Sequence, residues 1–295
     1  MKRKAMERVV ACILFACALI SVLAVVTMTA YMGILGTPAI FEVGWKEILF
    51  GTVWNPSGTD PQFGIFYVIL SSLFGTMISI LLGGPLGLLC AIYLSEVASG
   101  EWRKRLKSVV ELLAGIPSVI YGLMGMMVIC PAVYQIECFV FKNDSSHQFT
   151  GGANFLSAIL VLTLMILPTL ITMTETALAS VPTNYRMASQ ALGATKIQTI
   201  FKVVVPSAKR GILSAIVLGV GRAIGETMAV ISVAGNSIHF PAPFYSVRFL
   251  TTAIASEMAY SEGLHRQVLF TIGLVLFIFI LLVNIGLHLM MKKDG

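Results

Sequence analysis

An all-α polytopic membrane protein with six transmembrane helices is the fold this sequence predicts, and three observations predict it. Of its 295 residues 57% are hydrophobic and only 12% charged, where soluble domains carry about 25% charged residues. Six apolar runs, at about 9–30, 64–94, 109–134, 154–181, 211–235 and 268–291, are each long enough to cross a bilayer. Lys and Arg gather in alternate loops, as expected of a chain oriented by the positive-inside rule.

The first run follows Lys2, Arg3, Lys4 and Arg8, so residues 1–8 form a short basic N-terminal segment. The run is longer than the apolar core of a signal peptide and no small-residue cleavage site follows it, which makes it a retained anchor helix. The second run contains Gly83, Gly84 and Pro85, the third Gly115 and Pro117, and the fourth Pro168. Such residues mark either the broken helices of a transporter core or close helix packing, and both readings stand. Glu111 is expected to cap the third span near its start, where a carboxylate complements the helix dipole.

An even number of spans puts both termini on one side. Arg103, Lys104, Arg105 and Lys107 lie in the second loop, Arg186, Lys196, Lys202, Lys209 and Arg210 in the fourth, and Lys292 and Lys293 at the C-terminus. The opposite loops hold only Lys46, Lys142, Arg248 and Arg266. Both termini are therefore expected in the cytoplasm. The net charge of +6 is explained by topology, and a nucleic-acid role is excluded with it. Cys12, Cys17, Cys90 and Cys130 fall in apolar runs and Cys138 is expected in a loop, with no disulfide framework or metal spacing. His239 and His265 read as isolated loop residues, and no set of residues suited to metal binding or intramembrane catalysis is present.

The fifth run carries Arg222 and Glu226, one helical turn apart. At 1.5 Å rise per residue Arg222 lies about 16 Å in from Gly211, near mid-depth. Charge at that depth is costly, about 2.5–3.5 kcal/mol on insertion scales, so it faces a bundle interior or a water-filled path. On a continuous helix the two side chains share a face. A structural salt bridge and a transport-path pair are both open. Glu175, near the end of the fourth span, is a further pathway candidate and equally a partner for a cation at that face.

The loop 182–210 joins the fourth and fifth spans and contains no acidic residue. Asn184 is expected to cap a short helix through Met187, Ala188 and Ala191, ended by Gly193. A second short helix is expected from Thr195 to about Val204, stopped by Pro206. Met187, Ala188, Ser189, Gly193 and Pro206, with Val203 and Val205 between the last two, resemble the EAA signature of ABC importer permeases. Met187 stands where that family usually has glutamate.

The resemblance narrows through Trp54–Pro56, ELLAGIPSVIYG at 111–122, LMILPTLITMTETALASVP at 164–182, GRAIGETMAV at 221–230 and LTTAIASEMA at 250–259. Together, over most of the chain from 50 to 284, they are similar to phosphate-specific ABC permeases of the PstC type. The resemblance implies a type I importer permease in a bacterial or archaeal inner membrane. It implies a second permease subunit, two copies of an ATP-binding subunit, and an extracytoplasmic phosphate-binding protein as partners. Inorganic phosphate is the implied cargo; the companion phosphate permease and a sulfate or molybdate permease are the alternatives. It also implies that loop 182–210 couples to the ATPase. The external loop 236–267, with Phe240, Pro241, Pro243, Phe244 and Tyr245, would receive the binding protein or form a membrane-interface aromatic belt. The chain has no Walker-type phosphate loop, so no cofactor of its own is expected and ATP is bound by the partner.

Overall fold

The computed structural model describes residues 2–143 and 146–293. It is mostly helical. Among the described residues five helices are long and apolar enough to cross a membrane, or six when a bent pair counts as one span. The chain divides into two compact units, one of residues up to 65 with 256–279, the other of 66–255 with the residues from 280 onward.

In the first unit α1 (Lys2–Ala39) runs well past the expected end at 30, and its apolar side chains, Phe15 and Ile20 among them, are exposed as a lipid-facing helix requires. A π-helical stretch, Ile40–Gly44, leads into α2 (Trp45–Phe50). The strands β1 (Trp54–Asn55) and β2 (Gln62–Phe63) pair antiparallel, Trp54 opposite Phe63. Thr271 Oγ1 donates to the Gly36 carbonyl at 2.9 Å, and a Cβ at Gly36 would sit 2.9 Å from the Thr271 nitrogen. Helices approach this closely only where one contributes no side chain.

The second unit is built on α7 (Phe155–Ala179). Helix α3 (Phe66–Ile92) lays a buried stripe of Ser72, Gly75, Thr76, Ser79, Gly83 and Gly87 against it. Gly87 lies so near Leu170 that a Cβ would be 2.9 Å from the leucine Cβ. Gly83 and Gly87 therefore serve packing, while Gly84 has open space around it and Pro85 is exposed, and both helices continue unbroken through Pro85 and Pro168. The apolar core of this unit includes Leu162, Met165, Ile166 and Leu170 of α7 with Ala229, Val230 and Val233.

The third span differs from its expected limits. Helix α4 (Gly100–Ala114) is separate and amphipathic, and the chain breaks at Gly115–Pro117 before α5 (Ser118–Met124) begins. Pro117 disfavours helix at the residue before it. The span is Ser118–Val140 rather than 109–134, continuing through a π-helical turn, Gly125–Ile129, into α6 (Cys130–Val140). Glu111 thus lies in the last turn of α4 and caps no helix start. Cys138 lies in α6 rather than a loop.

Between α7 and the fifth span, α8 (Thr183–Ala191) begins at Pro182, ahead of Asn184, which is inside the helix and is not its cap. Gly193, at φ +83°, closes α8: its N–H reaches the Gln190 carbonyl and that of Ala194 the Ser189 carbonyl. This double closure needs a left-handed residue, which glycine adopts without steric cost. Thr195 and Gln198 form a capping box at the start of α9 (Lys196–Thr199). Pro206 does not stop the second helix. It sits at the start of α10 (Val205–Ser207), after the π-helical turn Ile200–Val204, where its missing N–H is not needed. The chain then bends by 67° into α11 (Lys209–Gly225). A second break, at Glu226 and Thr227, separates α11 from α12 (Met228–Val233). The short α13 (Leu250–Glu257) and the long α14 (Gly263–Lys293) complete the chain.

Candidate functional site

An open cleft of about 850 Å³ runs along α7 and α11. Its polar lining is Thr169 and Thr176 from α7 with Ser180 at the end of that helix, Ser214 and Arg222 from α11, and Asn284 from the C-terminal helix. Arg222 Nη1 donates to Thr169 Oγ1 at 2.7 Å, and among the described residues that is its one hydrogen-bond partner. A guanidinium has five N–H donors. Most of them are available to whatever enters the cleft.

Arg222 and Glu226 do not form an ion pair. The shared helix face required a continuous helix, and α11 ends at Gly225. Glu226 is extended, at φ −72° and ψ 130°. Its Oε1 accepts from the Ala229 N–H at 3.0 Å and its carbonyl accepts from Thr251 Oγ1 at 2.8 Å. The break is thus satisfied within the protein, as a break at membrane depth must be. Among the described residues Arg222 has no carboxylate partner.

Glu175 is buried and faces α4. Arg103 Nη2 and Lys107 Nζ each lie 3.0 Å from one of its carboxylate oxygens. The cation partners suggested by its position are real, and they come from one turn of the amphipathic helix. In the loop, Met187 is exposed, Ser189 Oγ is 3.0 Å from Thr199 Oγ1, and Tyr185, Leu192 and Ile197 add exposed apolar surface. Val204 and Ile200 pack with Ala91, Ile92 and Leu178 in a small core of their own.

Three clusters escaped the sequence reading. Glu137, fully buried, accepts from Thr150 N–H at 3.0 Å and lies 2.9 Å from His147 Nε2, whose ring stacks on Phe141 at 3.7 Å. His265 is not isolated: its Nε2 is 2.8 Å from Glu257 Oε2, which also accepts from the Trp54 indole N–H at 3.1 Å. Arg186 grips Glu96 with two donors. A glutamate just past an apolar run and a basic residue in the loop at the same end were the available signal for the last pair. The proline-aromatic loop is ordered by α7, whose first N–H groups, on Phe155 and Leu156, donate to the Tyr245 and Pro243 carbonyls. Phe240 and Tyr245 stay exposed.

Residues 83–293 match the family described as binding-protein-dependent transport system inner membrane component. The chain belongs to that family. The match begins within α3 of this permease and takes in the cleft, the break at Glu226 and the basic loop. The permease is 40% identical, over 92% of its length and 88% of the relative's, to the probable ABC transporter permease protein YqgH of Bacillus subtilis. It is 33% identical, over 84% of its length and 82% of the relative's, to the phosphate transport system permease protein PstC of Pasteurella multocida. Its fold is similar to that of a chain from a bacterial alginate ABC transporter crystallised with a pentasaccharide-bound periplasmic protein. That match has a TM-score of 0.67 at 18% identity, over 95% of this chain and 94% of the other. A chain of the MetNI methionine ABC transporter, inward facing, gives a TM-score of 0.56 at 19% identity, over 79% and 94%.

Proposed function

We propose that the chain is the phosphate-translocating permease of an ATP-driven importer and that Arg222 is its anion contact. The observation that carries this reading is a guanidinium in an open cleft whose one hydrogen-bond partner among the described residues is a neutral hydroxyl. Arginine suits a tetrahedral oxyanion because its planar fork donates two parallel hydrogen bonds and stays charged at any working pH. Glu226, held in the break beside it, keeps a carboxylate near enough to discourage trapping of the anion without occupying the guanidinium. Glu175 acts as the anchor of α4 rather than in the path.

The family supports the remaining parts of this reading, and the distribution of Lys and Arg supports its orientation. Both termini and the basic loop face the cytoplasm of a bacterium or archaeon. The exposed apolar knob around Met187 and Leu192 docks on an ATP-binding subunit, present in two copies, which hydrolyses ATP. A second permease subunit closes the cleft, and an extracytoplasmic binding protein delivers phosphate to the opposite face.

Phosphate uptake by cells carrying Arg222→Ala tests the assignment. Loss of an interaction to a charged group, about 1.5–3 kcal/mol, predicts a fall of at least about tenfold at normal protein levels. Uptake at the wild-type rate overturns it. Competition by sulfate and molybdate in the same assay separates phosphate from other oxyanions.

A further inference from the structure

Helix α8 is attached to the rest of its unit by very little. None of its side chains is buried, and only Arg186 and Ser189 are half-covered. Ser189 supplies one hydroxyl contact, to Thr199. Arg186 supplies nearly all the rest. Its Nε and Nη2 donate to the two Glu96 carboxylate oxygens at 3.2 and 2.6 Å, its Nη1 to the Val181 carbonyl at 2.5 Å, and Nη2 also to the Leu178 carbonyl at 2.9 Å.

These acceptors belong to two different spans. Glu96 sits in the π-helical turn Tyr93–Val97 that ends α3, and the Leu178 carbonyl, in the last turn of α7, accepts from Arg186 in addition to the Val181 N–H at 3.3 Å. The pair is well shielded, with 20% of the arginine and 10% of the glutamate side chain exposed. A two-point guanidinium–carboxylate contact fixes orientation as well as distance, so it transmits a pull as well as a push. The second helix of the loop needs no such device, because Ile200 and Val204 already join the apolar core with Ala91, Ile92 and Leu178.

We propose that Arg186 is a positioning residue that carries load applied to α8 into the ends of α3 and α7. The inference rests on the reading of this loop as the seat of an ATPase subunit. It assigns the transmission of movement to a polar clasp that the EAA-like positions do not include. Without the clasp, α8 can be displaced while the spans stay where they are.

The test is a complex of the full chain with its ATPase, companion permease and binding protein, reconstituted in lipid vesicles. ATP hydrolysis and phosphate uptake are measured on the same vesicles for wild type, Arg186→Met and Glu96→Gln. The expected result is a fall of about tenfold in phosphate moved per ATP in both variants, with the ATPase still co-purifying, from the loss of a charge-assisted contact. A wild-type ratio in either variant overturns the proposal. So does parallel loss of uptake and bound ATPase, which makes Arg186 a docking residue only. A wild-type complex that moves no phosphate with ATP refutes the importer reading itself, and this inference falls with it.

Discussion

Removing the Glu175 carboxylate should loosen α4 less than removing the two cations that hold it. The carboxylate is only 6% exposed, while Arg103 and Lys107 are 40% and 44% exposed. In Glu175→Gln both cations can turn to water. Each lost contact is worth about 1 kcal/mol after discounting a charge-assisted hydrogen bond for that exposure, about 2 kcal/mol together. In the double variant Arg103→Ala, Lys107→Ala the carboxylate stays buried with no partner, which costs about 3–5 kcal/mol. Amide hydrogen exchange across α4, with the protein in detergent or lipid, reads the local opening. At 1.36 kcal/mol per decade, exchange should quicken about 30-fold for the glutamine variant and about 100-fold or more for the double variant. Equal protection in all three proteins, or the reverse order, would refute the argument. A glutamine variant with α4 fully protected and phosphate uptake abolished would return Glu175 to the transport path.

Other consequences are open to direct measurement. Gly152 has φ +82° and a Cβ there would lie 1.9 Å from the Cys130 carbonyl oxygen, so Gly152→Ala should cost more than about 3 kcal/mol and fail to accumulate as folded protein. Gly193→Ala, with nothing within 4 Å, should cost only the left-handed backbone penalty of about 1–2 kcal/mol, read as a modest fall in thermal midpoint. Glu137→Leu leaves the buried His147 ring and the Thr150 N–H without their acceptor and should destabilise by about 2–4 kcal/mol, and Glu137→Gln by less, in thermal unfolding of the purified chain. Trp54→Phe keeps an aromatic ring beside Phe63 but loses the N–H donated to Glu257, for about 1 kcal/mol in the same measurement.

The apolar runs were legible because lipid imposes length and apolarity on each of them, but the third was placed too early because the separate amphipathic α4 was read into its start. Gly193 was legible because a helix end is a property of a few neighbouring residues. The interruption at Glu226 was not, since no proline marks it. It is stable because Thr251, far along the chain, supplies a hydroxyl to the freed carbonyl. Once the helix stops, the spacing that placed Arg222 and Glu226 on one face loses its meaning. The start of α8 was misplaced because Pro182 opens the helix earlier than the side-chain cap expected at Asn184. His265 looked solitary because its partners, Glu257 and Trp54, meet it only through tertiary structure. Arg186 and Glu96 are likewise far apart in the chain and ordinary in type. The sequence places both at the same end of the bundle, and only the geometry pairs them.

Helix α11 lies between two interruptions, the 67° bend before it and the extended residue after it. At 1.5 Å per residue Arg222 rides about 20 Å from the first of them. A tilt of about 5° there would swing its end of the helix by about 1.7 Å at that rise. A displacement of that size directed away from α7 would break the 2.7 Å Arg222–Thr169 contact and leave the rest of the bundle in place.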